Sequence, residues 1–481
     1  MNIKVYISGL KFMMCNTVKR LFNGDVQFIH SLDHGIYGVI DSTTNINKEN
    51  LDKIKDYMNK MVNDNIPFHK KIVNKKEAYN FYKNKSNYEK AYNVLDIDNL
   101  VVSMFELEGQ YNYFYSHDMP ASTGELKYFD LYFVSDNKFV LVYPFNGKLD
   151  FTFRSHIYDS FNQYDEWLSK LDINYVSDLN NIVAQGKVKD LIKKNDIMVD
   201  NCLYEIAKDI ISKNKKIILL AGPSSSGKTT SSRKLSLYLS AYGVNAIPIS
   251  LDDFFVDRDK TPLGEDGKPD FECLESLDIS YFNEVLTNLL EGRETKLPIY
   301  DFTVGKHTET DETYRLDEDD VLVIEGLHAI NPRLITINPD LIYKVYISPF
   351  TPLGMDRHNY VSTTDNRLLR RIVRDFRTRG KDAEFTISTW DSVRKGEEKN
   401  IFPYTDTVDA VLNTSYSYEI GVLKVYIEPL LLSISIDSPC YEEAHRLLSE
   451  FRTFYPIPSE SVPEDNLLRE FIGGSIFERN K

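Results

Sequence analysis

Cysteine is scarce. There are four in 481 residues, Cys15, Cys202, Cys273 and Cys440, and no two stand at C-x-x-C spacing. That excludes a zinc knuckle and a disulfide framework, and leaves isolated thiols of a reducing compartment. Long apolar runs are missing too. Crossing a bilayer takes about 20 apolar residues, and the longest runs here, such as Ile217–Ala221 and Val321–Ile324, are strand-length. The opening stretch MNIKVYISGLKFMMCNTVKR has no charged start followed by a sustained apolar segment. No signal peptide and no membrane span are therefore expected, and the chain reads as cytoplasmic. Positive charge is also short, with 57 Lys and Arg against 72 Asp and Glu, a formal charge of −15. A general nucleic-acid coat needs the opposite sign. Arginine is the most unevenly missing residue. Only Arg20 and Arg154 precede residue 215, whereas seven of the 19 lie between Arg357 and Arg379.

What is present is enough apolar residue for large cores, 42% hydrophobic against 27% charged, over a length that suggests two or three domains. The front is rich in Lys, Asn and Tyr. Its runs LVVSMFEL and KFVLVYPF alternate as antiparallel strands do, and helical spacing recurs over residues 50–63 and 75–85. A polar and apolar mixture over 186–214 reads as helix. From Lys215 the pattern becomes alternating strand and helix: KIILLAG, NAIPIS, VLVIEGL, LIYKVYIS and DAVLNT are short apolar runs of the kind buried in a parallel sheet. The expected layout is an α+β domain over 1–185, a helical linker over 186–213, and a doubly wound α/β domain over 214–481 with a helical tail.

The segment Gly222-Pro223-Ser224-Ser225-Ser226-Gly227-Lys228-Thr229 fits G-x-x-x-x-G-K-[ST], with an apolar strand before it and a helix after it. Such a loop turns its backbone N–H groups toward phosphate oxygens, and the helix N-terminus adds partial positive charge. Lys228 would reach the outer phosphates, and the Thr229 hydroxyl would ligate Mg²⁺. Thr230 opens the helix and is included in the nucleotide site. Asp252 and Asp253 follow the second strand, where ligands of open α/β sheets sit. A carboxylate there can take a proton from an acceptor hydroxyl. Glu325 ends the strand VLVIEG and is placed to hold Mg²⁺ or its water. His328 stands three residues on, as a structural or substrate-facing imidazole. Tyr300-Asp301-Phe302 joins an aromatic ring to an acid, which suits an acceptor pocket.

Arg367, Arg370, Arg371, Arg374 and Arg377 recur at three- and four-residue steps in DNRLLRRIVRDFRTRG. Guanidinium forks on one helix face can grip triphosphate oxygens. The cluster is expected to form a lid that closes over the nucleotide and excludes water, with Gly380 as its stop and hinge.

The phosphate loop, LDDFF, LPIYDF, VIEGLHAIN and RRIVRDFRTRG, in that order, resemble the uridine kinase/phosphoribulokinase family. A longer branch, the nucleoside kinases or uridine kinase-like proteins, is similar also in DRDKTPLGEDGKPDFE, SVRKGEEKNIFP and REFIGGS. In that branch the front half is similar to the second additional, editing-type domain of threonyl-tRNA synthetase, here through HSLDHGIYGVI and YFYSHDMPASTGELKYFDLYF. The resemblance implies a P-loop kinase fold behind a synthetase-like α+β domain. It implies Asp252 as general base, Glu325 as metal-associated acid, and Arg374 and Arg379 as the lid motif R-D-x-x-x-R-G. Tyr300, Asp301 and Glu272 fall at or near nucleoside-contacting positions. Departures exist. Phe255 stands where the family has Tyr in D-x-F-Y, and His307 is displaced by two residues. The stretch SGLKFMMCNTVKR lacks the H-x-x-x-H of editing domains, and His30 and His34 have that spacing in a strand-turn context instead.

The resulting expectation is a kinase using ATP and Mg²⁺ to phosphorylate a hydroxyl of a nucleoside, uridine- or cytidine-like, or a related ribose-bearing small molecule. Asp252, Lys228, Arg374 and Arg379 carry the chemistry. Residues 222–230 hold the nucleotide, and Thr229 and Glu325 hold the metal. Asp253, Glu272, Tyr300, Asp301 and His328 hold the acceptor. A sugar or sugar-phosphate kinase is the alternative enzyme, and a nucleotide-switched module sensing tRNA through its lysine-bearing front half is the alternative of another class. Homo-oligomerisation and the use of GTP stay open.

Overall fold

The computed structural model describes residues 2–96, 100–114, 118–264, 267, 269–301, 304–351 and 353–478. The chain forms two compact units, each assembled from separated segments. The first comprises Met1–Val188, Thr351–Asn366 and Ile420–Ile457; the second comprises Lys189–Phe350, Arg367–Glu419 and Pro458–Lys481. The expected contiguous layout differs in two ways. The 186–213 linker is one helix, Val188–Ser212, that belongs to the second unit from residue 189 on. Two pieces of the expected 214–481 domain belong to the first unit. Patterning along a chain reports local structure, whereas unit membership is set by long-range packing.

The first unit opens with a helix, Ile3–Phe22, started by the Asn2 side chain accepting from the Lys4 N–H. The sequence reading did not anticipate this helix. Its residues Leu10, Phe12, Met13 and Met14 share a core with Phe28, Ile36, Phe139 and Leu141 of an antiparallel sheet. That sheet runs Asp25–Leu32, Gly35–Asp41, Lys138–Val142, Asp130–Ser135 in spatial order. A smaller sheet of His69–Asn74, Val101–Leu107 and Gln110–Asn112 packs Val73, Val102 and Met104 with Ala78 and Tyr82 of the helix Lys75–Asn84. The H-x-x-x-H pair does not converge on a shared partner: His30 stacks on Phe161 at 3.5 Å, and His34 on Phe145 at 4.1 Å.

The second unit is α/β. Its elements are α1 (Val188–Ser212), β1 (Ile217–Ala221), α2 (Lys228–Ala241), β2 (Ala246–Ser250), α3 (Ile279–Leu290), β3 (Thr295–Asp301), β4 (Lys306–Tyr314), β5 (Val321–Gly326) and β6 (Ile342–Ser348), followed by α4 (Thr363–Arg379, in this unit from Arg367 on), α5 (Ala383–Asn400), β7 (Ala410–Asn413) and α6 (Arg469–Ile472). Five strands form one parallel sheet in the order β7-β6-β1-β5-β2. All residues of β1 and β5 are buried, as the unbroken apolar runs required. The register sets Glu325 opposite Leu220 on one side and Ser250 on the other. Three strand ends therefore deliver the phosphate loop, the Asp252 turn and Glu325 to one edge of the sheet. β3 and β4 form a separate hairpin, whose second strand the polar run KHTETDETY did not announce.

Candidate active site

The loop between β1 and α2 has the backbone its glycines permit. Gly227 sits at φ +87°, a region costly for residues with a Cβ. A Cβ on Gly222 would stand 2.2 Å from the Ile347 carbonyl oxygen. Ser225 also takes positive φ, at +60°. The Lys228 amine lies back over the loop, donating to the Gly222 and Pro223 carbonyls at 2.9 and 3.2 Å.

Glu325 is the point where the strand ends meet. Its Oε1 accepts from the Thr229 hydroxyl at 3.0 Å and from the Ser250 hydroxyl at 3.1 Å. Burial, then the nearby Asp252 charge, raise its pKa to about 7 against the pull of Lys228. Among the described residues no three His, Cys, Asp or Glu side chains could hold a metal by themselves. Mg²⁺ keeps water and phosphate ligands and asks for only one or two protein oxygens, which Thr229 and Glu325 fit.

Asp252 is exposed, in the single turn Leu251–Phe254 after β2. Its charge is felt at Glu325, Glu272 and Arg379. Glu272 is half-buried, and desolvation, then neighbouring Glu397, raise its pKa to about 7 while Arg371 opposes. Gly396 makes room for it: a Cβ there would stand 2.5 Å from the Glu272 Cβ. Phe255 packs between Tyr300, at 5.6 Å, and Phe271, at 6.3 Å.

The other expected acceptor residues differ in setting. Asp253 accepts the Tyr300 N–H at 3.2 Å and so ties the turn to β3. Tyr300 is buried, whereas Asp301 is exposed at the hairpin end. Phe302 lies outside the described residues. His328 is buried, and desolvation lowers its pKa to about 4, which makes it a neutral imidazole. His307 faces Tyr281 at 6.0 Å and Asp257 at 3.9 Å.

The arginine cluster does not act as one face. Arg357 belongs to the first unit, beside Asp25, Asp41 and Glu89. Arg367 and Arg370 are fully buried and hold the phosphate loop from behind. Arg367 pairs with Glu397 and donates to the Ser224 carbonyl at 2.9 Å. Arg370 pairs with Glu419 and donates to the Thr414 carbonyl at 2.7 Å, while the Thr414 hydroxyl donates to the Ser226 carbonyl at 2.6 Å. Arg377 donates to the Phe471 carbonyl at 3.1 Å. The remaining three gather on Asp375: Arg371 at 3.3 Å, Arg374 at 2.9 Å and Arg379 at 3.5 Å. The Arg374 charge is the main reason the Arg379 pKa is lowered. Like charges held this close favour an anion. Helical spacing could not separate the two groups, because the carboxylates that claim the buried ones come from distant segments.

Sequence reasoning also missed Glu397, whose Oε1 accepts the Ser224 N–H at 2.8 Å, and Ser250. The segment SVRKGEEKNIFP carried Glu397 without a sign of its role.

The model of the Phosphoribulokinase / Uridine kinase family matches residues 217–420. The chain is 30% identical over 184 residues to the uridine kinase of Bacillus subtilis strain 168, which covers 38% of this chain and 78% of that one. It is also 30% identical over 213 residues to the uridine kinase of Lactococcus lactis subsp. lactis strain IL1403, covering 44% and 93%. Among solved structures, a possible uridine kinase from Bacillus stearothermophilus is similar at 19% identity and a TM-score of 0.28, over 44% of this chain and 98% of that one.

Proposed function

The chain belongs to the phosphoribulokinase/uridine kinase family and is a phosphotransferase with a hydroxyl acceptor; from that premise we propose that it uses ATP and Mg²⁺ to phosphorylate a nucleoside or a related ribose-bearing molecule. The observation that carries this reading is the meeting of Lys228, Thr229, Glu325 and Asp252 at one sheet edge. Bound Mg²⁺ would draw charge from the phosphate oxygens. The loop N–H groups and Lys228 bind the phosphate chain and orient it. Thr229 and Glu325 hold the metal. Asp252 accepts the proton of the acceptor hydroxyl. Arg371, Arg374 and Arg379 stabilise the charge that moves during transfer, and the buried Arg367 and Arg370 keep the loop in shape. Phe255 and Phe271 beside Glu272 offer an aromatic wall and a hydrogen-bonding acid, which suits a ring-bearing acceptor. ADP release, followed across nucleosides and pentose phosphates, tests the reading. Turnover is expected with one or more nucleosides. Turnover confined to sugar phosphates, or ATP hydrolysis that no small acceptor stimulates, would overturn it.

A further inference from the structure

One donor position of the phosphate loop is already filled by the protein's own C-terminal segment. Glu470 lies on α6, and its Oε2 accepts both the Thr230 backbone N–H, at 3.1 Å, and the Thr230 hydroxyl, at 2.9 Å. Thr230 is in the first turn of α2. The N–H groups of a first turn have no partner within the helix, and a phosphate-loop helix directs them at phosphate oxygen. A carboxylate presents the same kind of acceptor: an anionic oxygen on a planar or tetrahedral centre. Its negative charge also reaches the chemical centre, because Glu470 is one of the groups that raise the Glu325 pKa.

The segment that delivers Glu470 is held at several points. Leu467, Leu468, Phe471 and Ile472 are buried. Lys234 of α2 pairs with Asp465 at 3.1 Å. Arg377 grips the Phe471 carbonyl at 3.1 Å and Glu478 at 2.8 Å, and the Arg370 guanidinium lies 5.0 Å from the Phe471 ring. The two arginines are on α4, which also carries Arg371, Arg374 and Arg379. The same helix thus holds the tail and supplies the cations beside the loop.

We propose that Glu470 is an internal competitor of the nucleotide, a residue that sets nucleotide affinity by occupying the Thr230 donors until a phosphate oxygen takes them. This rests on the reading of residues 222–230 as the nucleotide site. Incoming phosphate oxygens and the Glu470 carboxylate cannot share two donors, and their like charges repel. Binding therefore requires Glu470 to leave Thr230, and the Arg377-held segment loosens with it. The competitor weakens the nucleotide by the free energy of its own contact. Binding and tail docking are then coupled reciprocally, as two ligands of one site are.

Isothermal calorimetry of ATP and of ADP on the full chain, wild type against Glu470→Gln and Glu470→Ala, tests this. Both variants are expected to bind nucleotide about tenfold more tightly, within the usual range of such couplings. In the wild type, amide hydrogen exchange over residues 463–478 is expected to speed up when ATP is added. Unchanged or weaker nucleotide binding in both variants overturns the proposal, as does exchange in the tail that slows or stays the same. The exchange measurement needs no variant, so a substitution that harms folding does not shield the idea. A wild-type chain that binds neither ATP nor ADP overturns the nucleotide reading as well, which separates the two failures.

Discussion

Each of the two units buries charge, and they do it differently. In the first unit Lys90 and Asp356 are fully buried 3.6 Å apart. Asp356 also accepts from Tyr113 at 3.0 Å and from Asn359 at 2.9 Å. The Lys90 amine donates to Asn112, whose amide meets His358 Nδ1 at 2.9 Å, and His358 Nε2 meets Asp25 at 3.1 Å. In this network each charged group meets an opposite charge or a hydrogen-bond partner. In the second unit Glu325 and Glu272 are raised to about 7 by burial and by other carboxylates, while Arg371, Arg374 and Arg379 share one aspartate. Like charges face like charges. A closed network holds a fold together, whereas an unbalanced one waits for a ligand that balances it.

The contrast breaks most sharply under two substitutions. Asp252→Asn is expected to lower turnover by about 10²–10⁴-fold, the usual worth of a general base, with little change in Tm or in ATP affinity. Near wild-type turnover in a coupled ADP assay would remove Asp252 from that role. Asp356→Ala should act the other way. It strands the Lys90 ammonium in the interior, at a cost of about 3–5 kcal/mol, so urea unfolding should show a large loss while the folded fraction keeps its turnover per molecule. A mild change in stability would mean that the first unit's network is not closed.

A smaller effect is read by pH. Glu325 and Glu272 bind protons more tightly folded than unfolded, because their pKa is raised from the ordinary carboxylate range to about 7. Their contribution to stability is complete at low pH and is lost as pH rises through 7. The nucleotide-free protein should therefore lose Tm between pH 5 and pH 8, and Glu272→Gln should flatten that slope. An unchanged slope in the variant would place the titration elsewhere.

How much of this was legible differs between the units for a physical reason. In the second unit the candidate site is written in contiguous stretches: the loop at 222–229, an apolar strand ending in Glu325, and LDDFF. Strands buried on both faces are apolar without a break, so β1 and β5 read directly. Polar partners brought from afar did not read. Arg367 and Arg370 have the spacing of a grasping face, yet their partners Glu397 and Glu419 lie 30 and 49 residues away. In the first unit the helix Ile3–Phe22 is rich in β-branched and aromatic residues, and local propensity there yields to packing. The segment carrying Asp356 and His358 gave no sign of joining a core formed some 250 residues earlier.

The finest probe of the unbalanced site is Ser250. Its hydroxyl donates to Glu325 Oε1 at 3.1 Å, and a hydrogen bond to the charged form of a carboxyl favours that form. Ser250→Ala removes the donor and leaves Thr229 alone on that oxygen. One such bond is worth about 0.5–1.5 kcal/mol, so the Glu325 pKa should rise further, by up to roughly one unit. If ionised Glu325 is needed to hold the metal, the acid limb of kcat/KM, which reports the free enzyme, should move toward higher pH in the variant, with the plateau nearly kept. A limb that stays in place would assign the titration to another group, such as Glu272. A limb that moves toward lower pH would mean that Ser250 bonds the protonated acid, and the balance of charge around Glu325 would then be closer to that of the first unit.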